Sequence, residues 1–355
     1  MPAPGTTFLG NPEARAISAA GRGAATEPCV WIPAPGTLEY TLVLQRGELM
    51  KRFMLLGILV VAGGLSLTLT AGQQPAPMVV EAEKVRDNLY MMKGGGGNSA
   101  VFIATDGVTV VDTKNPGWGQ PLLEKIRSVT DKPVVRIINT HTHGDHVSGN
   151  VEFPATVDIV THANTKMLME QMNAVTGLAA PPAGPNIFQR NNGKGLPKRT
   201  FTDTMTIGSG NDRIDLFYFG RAHTGGDAFV LFRALRVLHT GDAFHTRDLP
   251  IMDANNGGSG VDFSGTLAKA GTALAKDVDA IINGHNPTTT TPADMKTQSE
   301  FIADFVTFVQ DAKKAGKTVD DVVSTWKTPA KYVGYATPQE ARVRADAQVV
   351  WNETK

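Results

Sequence analysis

The chain has 355 residues with 34 basic and 34 acidic side chains, 41% hydrophobic residues and a single cysteine, Cys29. That length suits one large globular domain or two small ones. Zero net charge removes the attraction on which non-specific nucleic-acid binding rests, and a lone thiol rules out a disulfide framework or a thiolate metal cluster.

Residues 1–49 are rich in Pro, Gly and Ala and show no sustained periodicity. Met50-Lys51-Arg52 then opens a basic stretch, 53–62 is apolar, and a softer Gly/Ser/Thr segment ends in Ala71-Gly72. This is the layout of a secretory signal peptide. The expectation is a true start at Met50 with 1–49 a mis-called or disordered extension, a signal peptide over 50–72, and a mature domain over 73–355. That domain is expected in the periplasm or outside the cell, free of the membrane once the signal is cleaved. A mature chain without any thiol fits an oxidising compartment. The rival reading of 53–71 is a transmembrane anchor, although Gly63, Gly64, Ser66, Thr68 and Thr70 dilute its second half.

Beyond residue 78 the pattern alternates between sheet and helix. Segments 79–85 and 89–93 read as strands, Gly94-Gly95-Gly96-Gly97-Asn98 as a turn, and 100–104 with 108–111 as a strand pair around Asp106-Gly107. A short helix over 120–129 precedes a β-branched strand, 134–139. Another strand, 157–161, leads into a helix over 163–173, whose Met167, Leu168 and Met172 predict a core-facing stripe. The Pro- and Gly-rich stretch 174–200 reads as one long loop, a candidate cover for a cleft. Strands follow at 204–207, 214–219, 229–232 and 237–239. Then come a helix over 262–276, a strand over 278–282 and helices over 294–314 and 318–326. Thr337-Pro338-Gln339-Glu340 predicts a capping box with Pro at the first helical position, opening a last helix to about residue 350. Two β-rich halves, each trailed by helices, predict an α/β four-layered αββα sandwich.

The chemistry is concentrated where strands end. The strand over 134–139 runs into His141-Thr142-His143-Gly144-Asp145-His146, three imidazoles and a carboxylate in six residues, donors that suit zinc and its first-row neighbours. Three further candidates lie just past later strands and beside glycines: His223 in Ala222-His223-Thr224-Gly225-Gly226-Asp227, Asp242 in Thr240-Gly241-Asp242, and His285 in Gly284-His285. Glycine beside a ligand lets the backbone turn sharply enough to aim side chains into a common cleft. His162 and His239 have no motif partner and read as structural.

Together these motifs, with the acidic Asp112 closing the strand before the first of them, resemble the metallo-β-lactamase superfamily over about residues 79–290. The resemblance implies that His141, His143 and His223 bind one zinc, that Asp145, His146 and His285 bind a second, and that Asp242 bridges the two. It implies that Asp112 steadies the motif loop. A water activated between the two zinc ions would attack a cyclic amide or ester, and Asp145 would orient it and deliver a proton to the leaving group. Iron or manganese would also suit these donors. In the best-known lactamase subclass the residue matching Asp242 is cysteine, with a substrate-binding lysine three places on; here that place holds His245, a candidate substrate contact. The expected activity is an exported β-lactamase-like hydrolase of a small-molecule substrate. The alternatives are a secreted lactonase, esterase or thioesterase, and a mononuclear iron enzyme of the persulfide dioxygenase type. Nucleic acid is not an expected partner, and the sequence leaves the oligomeric state open.

Overall fold

The computed structural model describes residues 77–180 and 183–355; the segment 50–72 expected to be a signal peptide, and the extension 1–49 before it, lie outside the described residues. No helix among them is long and apolar enough to cross a membrane. They belong to one structural unit, Ala76–Lys355.

Two sheets carry the fold. The first has seven strands in sequential order: β1 Glu81–Arg86, β2 Leu89–Lys93, β3 Ser99–Ile103, β4 Val108–Val111, β5 Val134–Asn139, β6 Asp158–His162 and β7 Arg199–Phe201. β1 to β4 pair antiparallel, and β4 to β7 pair parallel. The parallel crossovers run through helix α1 (Gly119–Arg127), the one-turn α2 (Gly144–Val147), and α3 (Ala163–Gln171) with the short α4 (Ile187–Arg190). The second sheet is built from β8 (Thr204–Ile207), β9 (Ile214–Phe217), β10 (Phe229–Phe232), β11 (Val237–His239) and β12 (Ala280–Ile282). Its first four strands are antiparallel neighbours. β12 lies parallel to β11 and is reached through α5 (Gly260–Leu274). Helices α6 (Pro292–Lys314), α7 (Val319–Thr325) and α8 (Glu340–Glu353) complete the outer layer.

Strand periodicity explains the layering, because successive side chains point to opposite faces. Val111, Ile138 and Val160 from the first sheet meet Val230, Phe232 and Ile282 from the second in the central core. Their chain neighbours Val110, Ile137 and Ile159 turn outward onto Leu122, Leu123 and Ile126 of α1. On the other side Leu231, Leu238 and Ile281 face Phe263, Phe301, Phe305 and Val350 of the helical layer. Buried on both faces, these strands read as apolar runs rather than alternating ones. The result is the αββα sandwich.

Several local expectations need correction. In α3 the buried face carries Thr165 and Met169, four residues apart, while Met167 is 55% exposed and Leu168 is half-buried. The Thr165 hydroxyl donates to the Gly226 carbonyl at 2.7 Å, which sets the rotation of the helix in a way a methionine stripe cannot reveal. The stretch 174–200 is not one loop. It contains α4, with an Asn186/Gln189 capping box and a buried Phe188, and then enters β7; a single turn is too short for periodicity to show.

The capping box at Thr337 does not form. The Ala336 N–H is tied to the Arg247 carbonyl at 3.1 Å, and Gln339 remains extended, so α8 opens at Glu340 without a side-chain cap. Besides the box at Asn186/Gln189, reciprocal boxes stand at Thr291/Asp294, with Pro292 at the start of α6, and at Thr318/Asp321.

Candidate metal centre

β4 and β5 run parallel in one sheet, and β9, β11 and β12 share a direction in the other. The residues that follow these strands carry Asp112, His141 to His146, His223, Asp242 and His285. Ligand sites in sheets with parallel strands form beyond the carboxyl ends of those strands.

His141, His143, His223 and Asp242 offer donor atoms that all lie within 4.8 Å of one another, and all four residues are buried. Their hydrogen bonds assign the tautomers. His223 Nδ1 donates to the Ile251 carbonyl at 2.8 Å, which leaves Nε2 bare. His143 Nε2 lies 2.7 Å from the Asp253 carboxylate and must carry the proton, which leaves Nδ1 bare. Thr140 Oγ1 donates to Asp112 at 2.7 Å and accepts from His141 Nδ1 at 2.9 Å, so His141 Nε2 is bare as well. The bare nitrogens of His143 and His223 face each other at 3.0 Å. His141 Nε2 and Asp242 Oδ1 are buried with no hydrogen-bond partner. Lone pairs converging in a buried pocket repel unless a cation lies between them, so this donor set fits a metal ion.

Asp145, His146 and His285 form a second group. His146 Nδ1 donates to Asp112 at 2.7 Å, which turns Nε2 towards the other members of the group. That atom lies 3.3 Å from Asp242 Oδ1, 3.5 Å from Asp145 Oδ2 and 3.4 Å from His285 Nε2. Asp242 reaches both groups, with Oδ2 3.2 Å from His285 and 3.7 Å from His223. Asp145 and His285 stand at the open side, their side chains 29% and 36% exposed.

The electrostatics divide the same way. Burial, reinforced by neighbouring imidazoles, holds His141 well below its usual value and His223 down at about 3. Burial also pulls on His146 and His285, but the carboxylates outweigh it. Asp145, Asp242 and Asp112 push His146 well above the usual range, and Asp242 with Asp145 pushes His285 to about 9. The second group is therefore the one where positive charge is most strongly favoured.

All seven candidate ligands are brought together, and Asp112 touches the loop it was expected to steady: Oδ1 accepts from the Thr140 N–H at 2.8 Å. His245 lies one 3-10 turn beyond Asp242. Its carbonyl accepts from the His285 N–H at 2.9 Å, its Nδ1 is buried without a partner, and burial pulls it down to about 4. His162 caps α3 and stacks on Tyr218, and His239 accepts from the Gly241 N–H. Close approach explains two glycines: a Cβ at Gly284 would fall 1.7 Å from Asp242 Oδ1, and one at Gly97 would fall 2.2 Å from the His146 ring.

Two contributors were not found in the sequence. Asp253 joins His143 to the start of the 174–200 stretch, because its Oδ1 accepts from both the N–H and the hydroxyl of Thr176, at 2.9 and 2.8 Å. Lys114 is wholly buried, with its ammonium on two carbonyls. Burial lowers it to about 7 against the opposing pull of Asp112 and Asp145. A lone carboxylate in an Asn/Gly loop and a lysine beside a strand carry no motif, so only the geometry shows them.

The family model described as the metallo-beta-lactamase superfamily matches residues 92–285, more than half of the chain and every candidate ligand. A curated relative, the metallo-beta-lactamase type 2 of Elizabethkingia meningoseptica, is 27% identical over 195 residues, 51% of this chain and 68% of its own. Among solved structures, a metallo-beta-lactamase from Pontibacter korlensis superposes with a TM-score of 0.51 at 16% identity, covering 63% of this chain and 99% of its own. An inverting sec-alkylsulfatase from Pseudomonas sp. superposes with a TM-score of 0.58 at 13% identity. That match covers 77% of this chain, which spans only about half the sulfatase's length. At these identities the solved structures establish the fold.

Proposed function

Because the chain belongs to the metallo-beta-lactamase superfamily, we propose that it is an exported binuclear zinc hydrolase that opens a cyclic amide or ester. The observation that carries this reading is the convergence of bare imidazole nitrogens on the unpaired Asp242 oxygen. His141, His143 and His223 would hold one ion and Asp145, His146 and His285 the other, with Asp242 between them. Such a pair of ions, when bound, lowers the pKa of water towards neutrality and polarises a carbonyl oxygen.

The chain's own residues supply the rest. Asp112 and Asp253 fix the ring orientations of His146 and His143 by accepting their outer N–H groups. Asp145, at the open side, is ionised: burial raises its pKa, but His146 and His285 overcome that and hold it far below the usual carboxylate range. Its Oδ2 can orient an attacking water, accept the proton that the water gives up as it attacks, and pass that same proton to the departing nitrogen or oxygen. Burial keeps the His245 imidazole neutral at pH 7 and encloses its unpartnered Nδ1, so a contact with a substrate carbonyl or carboxylate would require the ring to turn towards the cleft.

Aspartate rather than cysteine at position 242 keeps a lactonase or esterase activity as the second reading. The test is a hydrolysis panel on the zinc-loaded full chain: a chromogenic cephalosporin, an acyl lactone, a glutathione thioester, an aryl ester and a secondary alkyl sulfate. Turnover of the cephalosporin is expected, and turnover of the lactone or esters alone would move the assignment to the second reading. Inactivity on every carbonyl substrate would overturn both. Asp145→Asn should lower turnover by about 10²–10⁴-fold, the range of a lost acid–base group, with an unchanged circular dichroism spectrum. Metal analysis finding one iron per chain would favour the redox reading instead.

A further inference from the structure

Lys114 is a wholly buried lysine to which neither the ligand motifs nor the proposed chemistry assigns a task. It stands two residues past Asp112, and both residues take left-handed backbone conformations, φ 63° for Asp112 and 77° for Lys114. Glycine would serve such a turn at lower cost, so the side chain must be what position 114 requires. Its ammonium donates to the carbonyls of Met92 and Gly97, at 2.6 Å each. Its own carbonyl accepts from the Gly149 N–H at 3.1 Å, and the neighbouring Thr113 N–H donates to the His146 carbonyl at 2.7 Å.

These bonds grip both sides of one pair of residues. The Gly97 N–H donates to the Asp145 carbonyl at 3.2 Å, and Gly97 lies so close to His146 that a Cβ would meet the ring. Gly96 is equally tight, because a Cβ there would fall 2.6 Å from the Asp145 carbonyl oxygen. The second half of the 94–97 run, which reads as a plain turn in the sequence, is thus a wall without side chains: Gly96 and Gly97 press against Asp145 and His146, whereas Gly94 and Gly95 pack against Val79 and Trp118.

We infer that Lys114 is a positioning residue that clamps this glycine wall onto Asp145 and His146 and thereby sets metal affinity at the Asp145–His146–His285 position separately from the other. An apolar side chain of similar length would fill the space but leave the Met92 and Gly97 carbonyls without the donor that holds them. The first group would keep its braces, since Asp253, Ile251 and Thr140 orient its imidazoles without Lys114.

The inference rests on the reading of Asp145, His146 and His285 as a metal position, and the experiment separates the two claims. The metal-free full chain is titrated with zinc against a chromophoric chelator for the unaltered protein, Lys114→Met and Gly97→Ala. The unaltered protein should take up two equivalents; uptake of only one overturns the site assignment and the clamp with it. In Lys114→Met the tighter equivalent should be nearly unchanged and the other weakened about 10–100-fold, the usual effect of removing an outer support. Gly97→Ala, which intrudes on His146 directly, should show the same split and provides the test if Lys114→Met does not fold. Two equivalents retained at full affinity in these variants, or both lost in parallel, would overturn the clamp while leaving the metal site standing.

Discussion

The hydrogen bonds around single residues decide most of the chemistry at this site. Each imidazole of the first group has its outer nitrogen occupied by a named acceptor, so the inner lone pair is fixed before any ion arrives. Away from the centre, Asp346 on α8 shows the opposite balance. It is fully buried, with Oδ1 accepting from the Met252 N–H at 3.0 Å, Oδ2 unpartnered and Arg342 no closer than 4.0 Å. Burial pushes its carboxyl up to about 7. A pKa raised on folding favours the protonated form, so this contribution to stability is full below about pH 4, the unfolded value, and is lost as pH rises through about 7. Asp346→Asn should therefore be more stable than the parent at pH 8 and nearly equal to it at pH 4. The gap reflects about 1.4 kcal/mol for each tenfold change in proton affinity. Denaturant melts at the two pH values check this; an equal difference at both would refute it.

At the scale of elements, caps and turns decide where helices begin. Thr291 accepts from the Asp294 N–H at 3.2 Å, and Asp294 accepts from the Thr291 N–H at 2.9 Å, closing the start of α6, the longest of the described helices. Thr337 has the same spacing to an acid, yet it lies exposed in an extended segment. Thr291→Ala should cost about 1 kcal/mol, and Thr337→Ala should stay within about 0.5 kcal/mol, as read from urea midpoints at constant slope. The two motifs look alike in the sequence. They differ because the Ala336–Arg247 bond holds one of them out of helical geometry.

For the whole molecule, the donors come from both sheets: those of the His141–His146 motif follow a strand of the first, and His223, Asp242 and His285 follow strands of the second. A metal held across them ties the two halves of the sandwich together and stabilises the folded state by mass action. At free zinc a hundredfold above the dissociation constant this amounts to about 2.7 kcal/mol. Chelation should accordingly lower the Tm, by about 2–4 °C for each kcal/mol lost in a domain somewhat smaller than this one, and added zinc should restore it. A Tm indifferent to chelator would mean that the donors hold no ion in the folded protein.

The order of most strands and of the longer helices, the sandwich architecture and the seven candidate donors could be read in the amino-acid sequence, but not strand β7 or the one-turn helices α2 and α4. Apolar periodicity is a local property, and ligand residues beside glycines at strand ends form short recognisable patterns. The phase of α3, the failed cap at Thr337, the helix inside 174–200, and the parts played by Asp253 and Lys114 were decided by the tertiary structure alone. Each depends on a hydrogen bond or packing contact between segments distant in the chain, such as Thr165 with Gly226, Asp253 with His143, or Lys114 with Met92. No local pattern encodes such pairs, because they exist only once the two sheets have brought their strand ends to one edge.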